Sequence, residues 1–200
     1  LTGIARVEVR RATIEVHTGY PQRAIERLTL FEDQREDIPS NLRANALRTL
    51  GIAYLHLGHI KQAVRKLTRA LPLYEEFGDQ HTIAILLQDL EVCYTQLGDV
   101  EQASACLQRA VALHRSIGAR DGLAEALNNL GYHYHQHGDY QQARQIFQEG
   151  LQVAANGLNA RVEGYLSWSL GDLLRDLGEF QEAERAYHRA IELSGRNEPY

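Results

Sequence analysis

The chain has 200 residues, of which 44% are hydrophobic and 24% are charged, and its formal net charge is −5. This composition is ordinary for a globular protein, and the acidic balance disfavours non-specific binding to DNA or to acidic membranes. No apolar run approaches the about 18 residues of a membrane-spanning helix, so we expect a cytoplasmic protein that binds neither membranes nor, directly, nucleic acid.

The two cysteines and the first residue further restrict what kind of protein this chain can be. Cys93 and Cys106 form no CxxC pair, so neither a disulfide framework nor a zinc ribbon is indicated. We expect both to be reduced, buried thiols of a cytosolic protein. The chain starts at Leu1 and contains no Met, which favours a fragment of a longer chain.

Residue types recur along the chain with a period of 40. The recurrent positions hold leucine, then glycine, then alanine: Leu50, Leu90, Leu130 and Leu170; Gly58, Gly98, Gly138 and Gly178; Ala63, Ala103, Ala143 and Ala183. A weaker copy, RATIEVHTGYPQRAIERLTLF, precedes these. A fixed period of this length indicates a repeat architecture. We predict one repeat domain over residues 1–200, with units of about 1–38, 39–78, 79–118, 119–157 and 158–195.

Each unit is predicted to form two helices. Pro21 falls in the turn of the first unit and Pro39 in the linker that follows. In the second unit, apolar and small residues recur at helical spacing up to Gly58, and a second apolar stripe begins at Ile60. Pro72 lies in this second helix, where it is expected to kink or shorten it.

The later units carry helix start and stop signals. Asp99 and Asp139 are placed as N-caps of second helices, each with a glutamine three residues on. Gly78, Gly118 and Gly157 are expected to end second helices. Small residues at the recurrent alanines, and at Gly51, Gly131 and Gly171, would let the helices of a unit approach closely. Glu91 breaks that glycine pattern, and the sequence offers no reason for it.

The repeat resembles the tetratricopeptide repeat family. The residues that carry the resemblance are Leu50, Gly51, Tyr54, Gly58, Ala63, Leu67 and Ala70, and in the fourth unit Leu130, Gly131, Tyr134, Gly138, Ala143 and Phe147. The resemblance implies an all-α, right-handed α-solenoid of about five antiparallel helix pairs. It also implies binding of a protein or peptide partner, without cofactor or catalysis.

Repeats of 40 residues are similar to those of MalT- and AfsR-type bacterial regulators, of polarity scaffolds and of kinesin light chains. The resemblance therefore suggests the sensor or scaffold part of a larger regulator, with a transcriptional regulator as one form it could take. A Gly-x-x-x-x-Gly-Lys-Ser/Thr loop is missing from the printed sequence, as is a recognisable helix-turn-helix. Self-association through the repeats is the alternative function, and an enzyme is a remote one, because no nucleophile–base pair or metal triad falls at matched positions.

Three histidines alternate in the stretch GYHYHQHGDY. In the repeat register, His133 matches Ala53, Cys93 and Leu173, and His137 matches leucines, so both are expected to pack between helices. His135 falls at a variable position. A pair at i and i+4 can share a metal ion, but a third ligand is not evident, so no metal site is predicted.

The inner face of such a solenoid is lined mainly by the first helix of each unit. Its candidate binding residues are those that the repeat does not need for packing: Asn45, Arg48, Gln88, Asn128, Asn129, Tyr132, His135, Tyr165, Trp168 and Arg175. The wider face also includes Thr49. Amide side chains can pair with both N–H and C=O groups of an extended peptide. The two-Lys, two-Asn, one-Arg carboxylate clamp of some family members is not expected, because no lysine falls among the candidate positions on this face.

Three aromatic residues stand out on this face. Tyr132, Tyr165 and Trp168 belong to the first helices of adjacent units, and aromatic residues in a concave face are common binding hot spots. Alternatively, Trp168 packs beneath a following repeat. The sequence leaves these two interpretations open.

Overall fold

The computed structural model describes residues 2–29, 38–155 and 159–195, and within these ranges it contains helices and no strand. The helices are α1 Thr2–His17, α2 Pro21–Thr29, α3 Ser40–His56, α4 Ile60–Phe77, α5 Gln80–Leu97, α6 Val100–Ser116, α7 Arg120–Gln136, α8 Tyr140–Ala155, α9 Ala160–Asp176 and α10 Phe180–Gly195. The predicted all-α class is therefore confirmed.

The chain packs as two compact units, Leu1–Cys106 and Leu107–Tyr200. In the first unit, α1 packs on α2 and on α3, and α3 packs on α4. In the second unit, α7 pairs with α8 and α9 pairs with α10, while α9 also packs on both helices of the preceding pair. The division into five repeats at the borders given above stays a prediction.

Helices end where glycine adopts a left-handed conformation. The φ angles of Gly58, Gly98, Gly138 and Gly178 lie between +73° and +79°, and those of Gly78 and Gly118 are +68° and +67°. L-residues other than glycine rarely adopt such angles, so these positions stop the helix. The predicted stops at Gly78 and Gly118 are confirmed, and Gly157 lies outside the described residues.

Carboxylate and amide side chains cap the helices that follow the turns. Asp99 Oδ1 accepts a hydrogen bond from the Gln102 backbone N–H at 3.2 Å, and Asp139 Oδ1 accepts one from Gln142 at the same distance. Both predicted caps are confirmed. Asp79 and Asn159 cap α5 and α9 in the same way, a role that the sequence reasoning missed although both residue types favour this position.

Small residues permit close helix contacts inside three pairs. A Cβ atom on Gly51, Gly131 or Gly171 would stand 2.6–2.7 Å from a side chain of the second helix of its own pair. The opposing side chains are Leu67, Phe147 and Tyr187. The recurrent alanines are buried as well. The structure therefore bears out the close approach that the sequence predicts at these positions.

The structure shows how the helices accommodate two residues that depart from the repeat pattern, Pro72 and Glu91. Helix α4 runs through Pro72 and ends only at Phe77, so the expected shortening is wrong. Pro72 is exposed there. Glu91 lies half-buried on α5, and its carboxylate accepts a hydrogen bond of 2.8 Å from the Thr95 hydroxyl. Burial raises the pKa of Glu91 more than this hydrogen bond lowers it.

Candidate functional site

We call the surface that the first helices form in each compact unit its helix-A face: α1, α3 and α5 in the first unit, and α7 and α9 in the second. On α3, the Asn45 side-chain oxygen accepts a hydrogen bond of 2.6 Å from the Tyr74 hydroxyl. Burial raises the pKa of Tyr74 to about 12, so this hydroxyl remains a donor at neutral pH. Asn45 is thus held by a neutral, structural partner.

An ion pair joins two first helices on this face. The Arg48 guanidinium donates to the Asp89 carboxylate, with Nε and Oδ2 at 3.1 Å. Burial raises the pKa of Asp89, and Arg48 opposes that rise. The neighbouring Thr49 is buried and its hydroxyl lies 3.1 Å from that of Thr13. Thr49, which the sequence places on the wider binding face, is therefore turned towards α1 and largely covered by it.

The alternating histidines do not form one cluster. His133 is buried, as predicted, and burial lowers its pKa, with a further contribution from His137. His137 is exposed, so its predicted packing between helices is wrong. It follows the last residue of α7, and the equivalent Leu97 and Leu177 are also exposed, at 43% and 37%. Its ring Nδ1–H donates a hydrogen bond to the His133 carbonyl oxygen, at 2.7 Å.

His135 joins α7 to α9 across the helix-A face. Its Nε2 lies 2.9 Å from the Asp176 carboxylate, and its ring stands edge-on to Tyr140. Hydrogen bonds from Arg175 and then from His135 lower the pKa of Asp176. Two candidate residues, His135 and Arg175, therefore converge on one carboxylate, and each is partly engaged within the protein.

The three aromatic candidates are all exposed: Tyr132 at 47%, Tyr165 at 56% and Trp168 at 53%. Trp168 stands edge-on to Tyr187 with ring centroids 5.3 Å apart, and the Arg161 guanidinium lies 5.9 Å from the Tyr165 ring centroid. Within the described residues, no ring contact joins Tyr132 to the other two. Tyr165 and Trp168 instead line an apolar groove between α9 and α10.

This groove, which we call the α9/α10 groove, has a volume of about 520 Å³. Its lining is apolar apart from Arg161 and Ser194: Ala160, Arg161, Gly164, Tyr165, Trp168, Ala190, Ile191 and Ser194. Forty residues earlier, the matching surface of α7 and α8 is filled by α9. Val162 and Leu166 are buried there against Ala124 and Ala154. Trp168 thus stands where a further helix could pack, which keeps both sequence interpretations open.

The remaining candidates on the first helices are half-buried. These are Gln88 on α5, and Asn128 and Asn129 on α7. The Asn128 side-chain oxygen is buried and accepts no hydrogen bond within the described part of the chain. The amide-rich face that the sequence predicts is therefore only partly accessible.

Residues of α1 were missed as site candidates, because its repeat is the weakest of the five. Arg6, Arg10 and His17 line a second groove with Arg48 and Asn45, of about 380 Å³. The available signal was the spacing of four between Arg6 and Arg10, which places both on one side of a helix. We call this the α1/α3 groove.

The described residues give little support to a metal site, a reactive cysteine or a membrane-spanning helix. No group of three or more His, Cys, Asp or Glu side chains there is placed to hold a metal ion. Cys93 and Cys106 are buried and form no disulfide, as predicted, and burial raises the pKa of Cys93 to about 11. A thiol of such high pKa is a poor nucleophile at neutral pH. None of the helices described here is both long and apolar enough to cross a membrane.

Solved structures with a similar fold span nearly the whole chain. BtubC (BKLC) from P. vanneervenii is 20% identical with a TM-score of 0.74, over 98% of this chain and 79% of that chain. The nearly identical TPR-like repeats of a Podosopora anserina kinesin light chain are 18% identical with a TM-score of 0.79, over 100% and 99%. MamA from Desulfovibrio magneticus RS-1 is 16% identical with a TM-score of 0.72, over 98% and 97%. At these identities the likeness establishes the fold, a TPR-like α-solenoid.

Sequence profiles point to the same family. A tetratricopeptide repeat profile matches residues 77–156, and a second one matches residues 169–196, so the two together span more than half of the chain. No curated protein sequence matches it. Repeat proteins of this architecture use extended surfaces to bind other proteins. The chain is a protein-interaction module and belongs to the tetratricopeptide repeat family.

Proposed function

We propose that this module recognises a peptide or protein segment along its helix-A face and acts by binding rather than by catalysis. The observation that carries the proposal is the exposure of Tyr132, Tyr165 and Trp168 on first helices, each near half of its surface. Exposed aromatic rings with polar neighbours are the residues that most often dominate binding energy. Arg161 beside Tyr165 and the half-buried amides would set the register of a bound segment.

The direct test begins with selection from a displayed peptide library on the intact 200-residue chain. The affinity of selected peptides is then measured by fluorescence anisotropy for Trp168→Ala, Tyr165→Ala and Tyr132→Ala. Trp168→Ala should weaken binding by about 2 kcal/mol or more, which is roughly thirtyfold. Tyr20→Ala is the matched control, since Tyr20 is equally exposed but lies in the turn before α2.

Stability measurements separate a binding role from a packing role for Trp168. A fully buried Trp→Ala change costs about 3–5 kcal/mol, and a ring that is half exposed should cost clearly less. If Trp168→Ala abolishes the folded state while the selected peptides keep their affinity for a folded Trp168→Phe variant, the ring packs and the hot-spot assignment fails.

We propose further that the module is the sensor or scaffold part of a larger, cytoplasmic regulator. The support is the 40-residue period, which is similar to that of MalT- and AfsR-type regulators, and the two buried thiols outside any disulfide. The negative net charge supports a role other than direct nucleic-acid binding. Sequencing the intact gene tests the context: an adjoining ATPase and a DNA-binding domain would support it, and a membrane-receptor context would contradict it.

Self-association is the second candidate function, and the open α9/α10 groove favours it. The occupant would be α1 of a second copy, which exposes Ile4, Val7 and Ile14 along one side. Light scattering over a range of concentrations tests this. Ile191→Glu inside the groove should reduce association, whereas Phe180→Glu, equally exposed on the same helix, should not. A monomer at all concentrations, or equal effects of both changes, would remove the candidate.

A further inference from the structure

The α1/α3 groove differs in character from the aromatic surface. The groove lies within the first compact unit, and its lining combines Arg6, Arg10 and His17 of α1 with Arg48 and Asn45 of α3. Its volume of about 380 Å³ is within the range of ligand sites, roughly 300–1,000 Å³. Its lining contains no aspartate or glutamate. A groove with three arginines is notable on a chain whose net charge is −5.

Helix α1 segregates its charges between two sides. Glu8 and Glu15 turn towards α2, where the Arg27 guanidinium pairs with both carboxylates. Arg6 and Arg10 project on the groove side, one helical turn apart. The two glutamates of α1 therefore face Arg27 of α2 and are not part of the groove lining.

The arginines of the groove differ in whether an acidic residue pairs with them. Arg48 is paired with Asp89, whereas Arg6 and Arg10 form no ion pair within the described residues. Exposed guanidinium groups on one wall of a concave site can donate two parallel hydrogen bonds to a carboxylate. Within the part of the chain that the structure describes, Arg6 and Arg10 thus provide two exposed guanidinium groups that can bind anions.

Neutral donors complete the opposite wall. The Asn45 side-chain oxygen is engaged by the Tyr74 hydroxyl, which leaves the amide N–H groups of Asn45 as donors into the groove. The Thr13 and Thr49 hydroxyls at its floor bond to each other. The accessible polar groups of the groove are therefore mostly donors, which suit an acceptor-rich ligand.

We propose that the α1/α3 groove binds a peptide segment whose aspartate and glutamate side chains contact Arg6 and Arg10. This rests on the proposed function only in that the module binds peptides. The partner is defined by side-chain carboxylates along a segment, not by a chain terminus. Binding at this site depends on charge and is therefore weakened by salt, because exposed ion pairs are screened.

The test uses an acetylated, amidated and fluorescently labelled peptide rich in Asp and Glu, and the intact chain. Fluorescence anisotropy is measured at about 50 and about 200 mM salt, where the Debye length shortens from roughly 14 to 7 Å. Arg10→Glu and Arg6→Glu should each weaken binding by about tenfold. Arg11→Glu is the matched control, because Arg11 belongs to the same helix but does not line the groove.

Three outcomes would overturn the proposal. The acidic peptide could fail to bind at any concentration, or Arg11→Glu could weaken binding as much as Arg10→Glu, which would mean non-specific attraction. A peptide with Asn for every Asp, Gln for every Glu and a free carboxyl terminus could bind in its place, which would mean recognition of a chain end. Circular dichroism checks that the exposed arginine variants remain folded. Selected library peptides that still require Trp168 would leave the proposed function standing in each case.

Discussion

Gly131 of α7 lies directly beneath the ring of Phe147 of α8, and a Cβ on Gly131 would stand 2.6 Å from two ring carbons. Phe147 is fully buried, so a Cβ on Gly131 would have to displace a rigid ring that lies inside the core. This contact fixes how closely the two helices of the fourth repeat approach. It also makes glycine a steric requirement at a position where helix propensity alone would favour alanine.

Gly131→Ala should therefore destabilise the protein. Overpacking costs about 1–3 kcal/mol, which exceeds the roughly 1 kcal/mol gained from helix propensity. Gly164→Ala is the control within a helix, because its Cβ would meet nothing nearer than 3.6 Å and the equivalent residues are Ala44, Ala84 and Ala124. Urea denaturation should show a lower midpoint for Gly131→Ala and an equal or higher one for Gly164→Ala. Opposite shifts would place the close contact elsewhere.

The cap of α5 should give an acid-dependent contribution to stability. The Asp79 carboxylate accepts the Thr82 N–H at 3.0 Å, and hydrogen bonding to Thr82 lowers the pKa of Asp79 despite partial burial. Because the folded pKa is depressed, the contribution is present above about pH 4 and is lost as pH falls through the lowered value.

Asp79→Ala should cost about 0.5–2 kcal/mol at pH 7, as measured by chemical denaturation. Asp79→Asn keeps an acceptor and should retain most of that stability while losing the acid dependence, as Asn159 caps α9 naturally. If the alanine and asparagine variants lose equal stability at pH 7, the hydrogen bond to Thr82 is not the stabilising element.

Glu91 should weaken the fold at neutral pH. Burial raises its pKa above the ordinary 4.5, so the native state binds more protons than the unfolded state between that value and the raised one. Stability therefore falls as pH rises through this interval, and the loss is complete above it.

Glu91→Gln keeps an acceptor for the Thr95 hydroxyl and should raise the thermal midpoint at pH 7. The advantage should vanish below about pH 4.5, where Glu91 is protonated in both states. Glu101→Gln, on the exposed surface of α6, serves as the control and should leave the midpoint almost unchanged. A lower midpoint for Glu91→Gln would show that the charged form is stabilised instead.

His133 should make the second compact unit sensitive to mild acid. Burial, and then His137, lowers its pKa from the ordinary 6.5. The unfolded state then binds a proton more readily, so stability falls as pH drops from about 6.5 through the lowered pKa. His133→Leu, which places here the residue found at Leu173, should flatten the pH profile of unfolding between about pH 5 and 7. His188→Leu, at an exposed position, should leave the profile unchanged.

The helices were predictable because glycine and aspartate at fixed spacing act locally. Gly58 and Gly138 end helices through their own backbone angles, and Asp99 caps through a bond three residues away, so neither needs tertiary information. His137 shows the limit of prediction from the repeat register. Its register matches leucines, but the register says nothing about exposure, and at a helix end even Leu97 and Leu177 reach solvent.

The candidate site was only partly predictable, because it depends on which helices meet. Thr49 looks like a surface residue until α1 supplies Thr13 as its partner. Arg6 and Arg10 escaped notice because the repeat match in α1 is weak, yet they line a groove with Arg48. Trp168 was identified as an aromatic residue on the first helix of its unit, but its edge-on contact with Tyr187 required the fold.

The glycines that end the helices with positive φ angles occupy a conformation that favours D-amino acids over L-amino acids. At Gly58, Gly138 and Gly178 the backbone angle is positive and the residue is exposed, so the constraint there is conformational rather than steric. The conformation that L-alanine avoids is the one that its mirror image prefers. D-alanine introduced at these turns by chemical synthesis would hold the positive φ angle while restricting the unfolded chain. The glycine that ends the first helix of each of these repeats is thus a position where this protein accommodates an amino acid of opposite handedness.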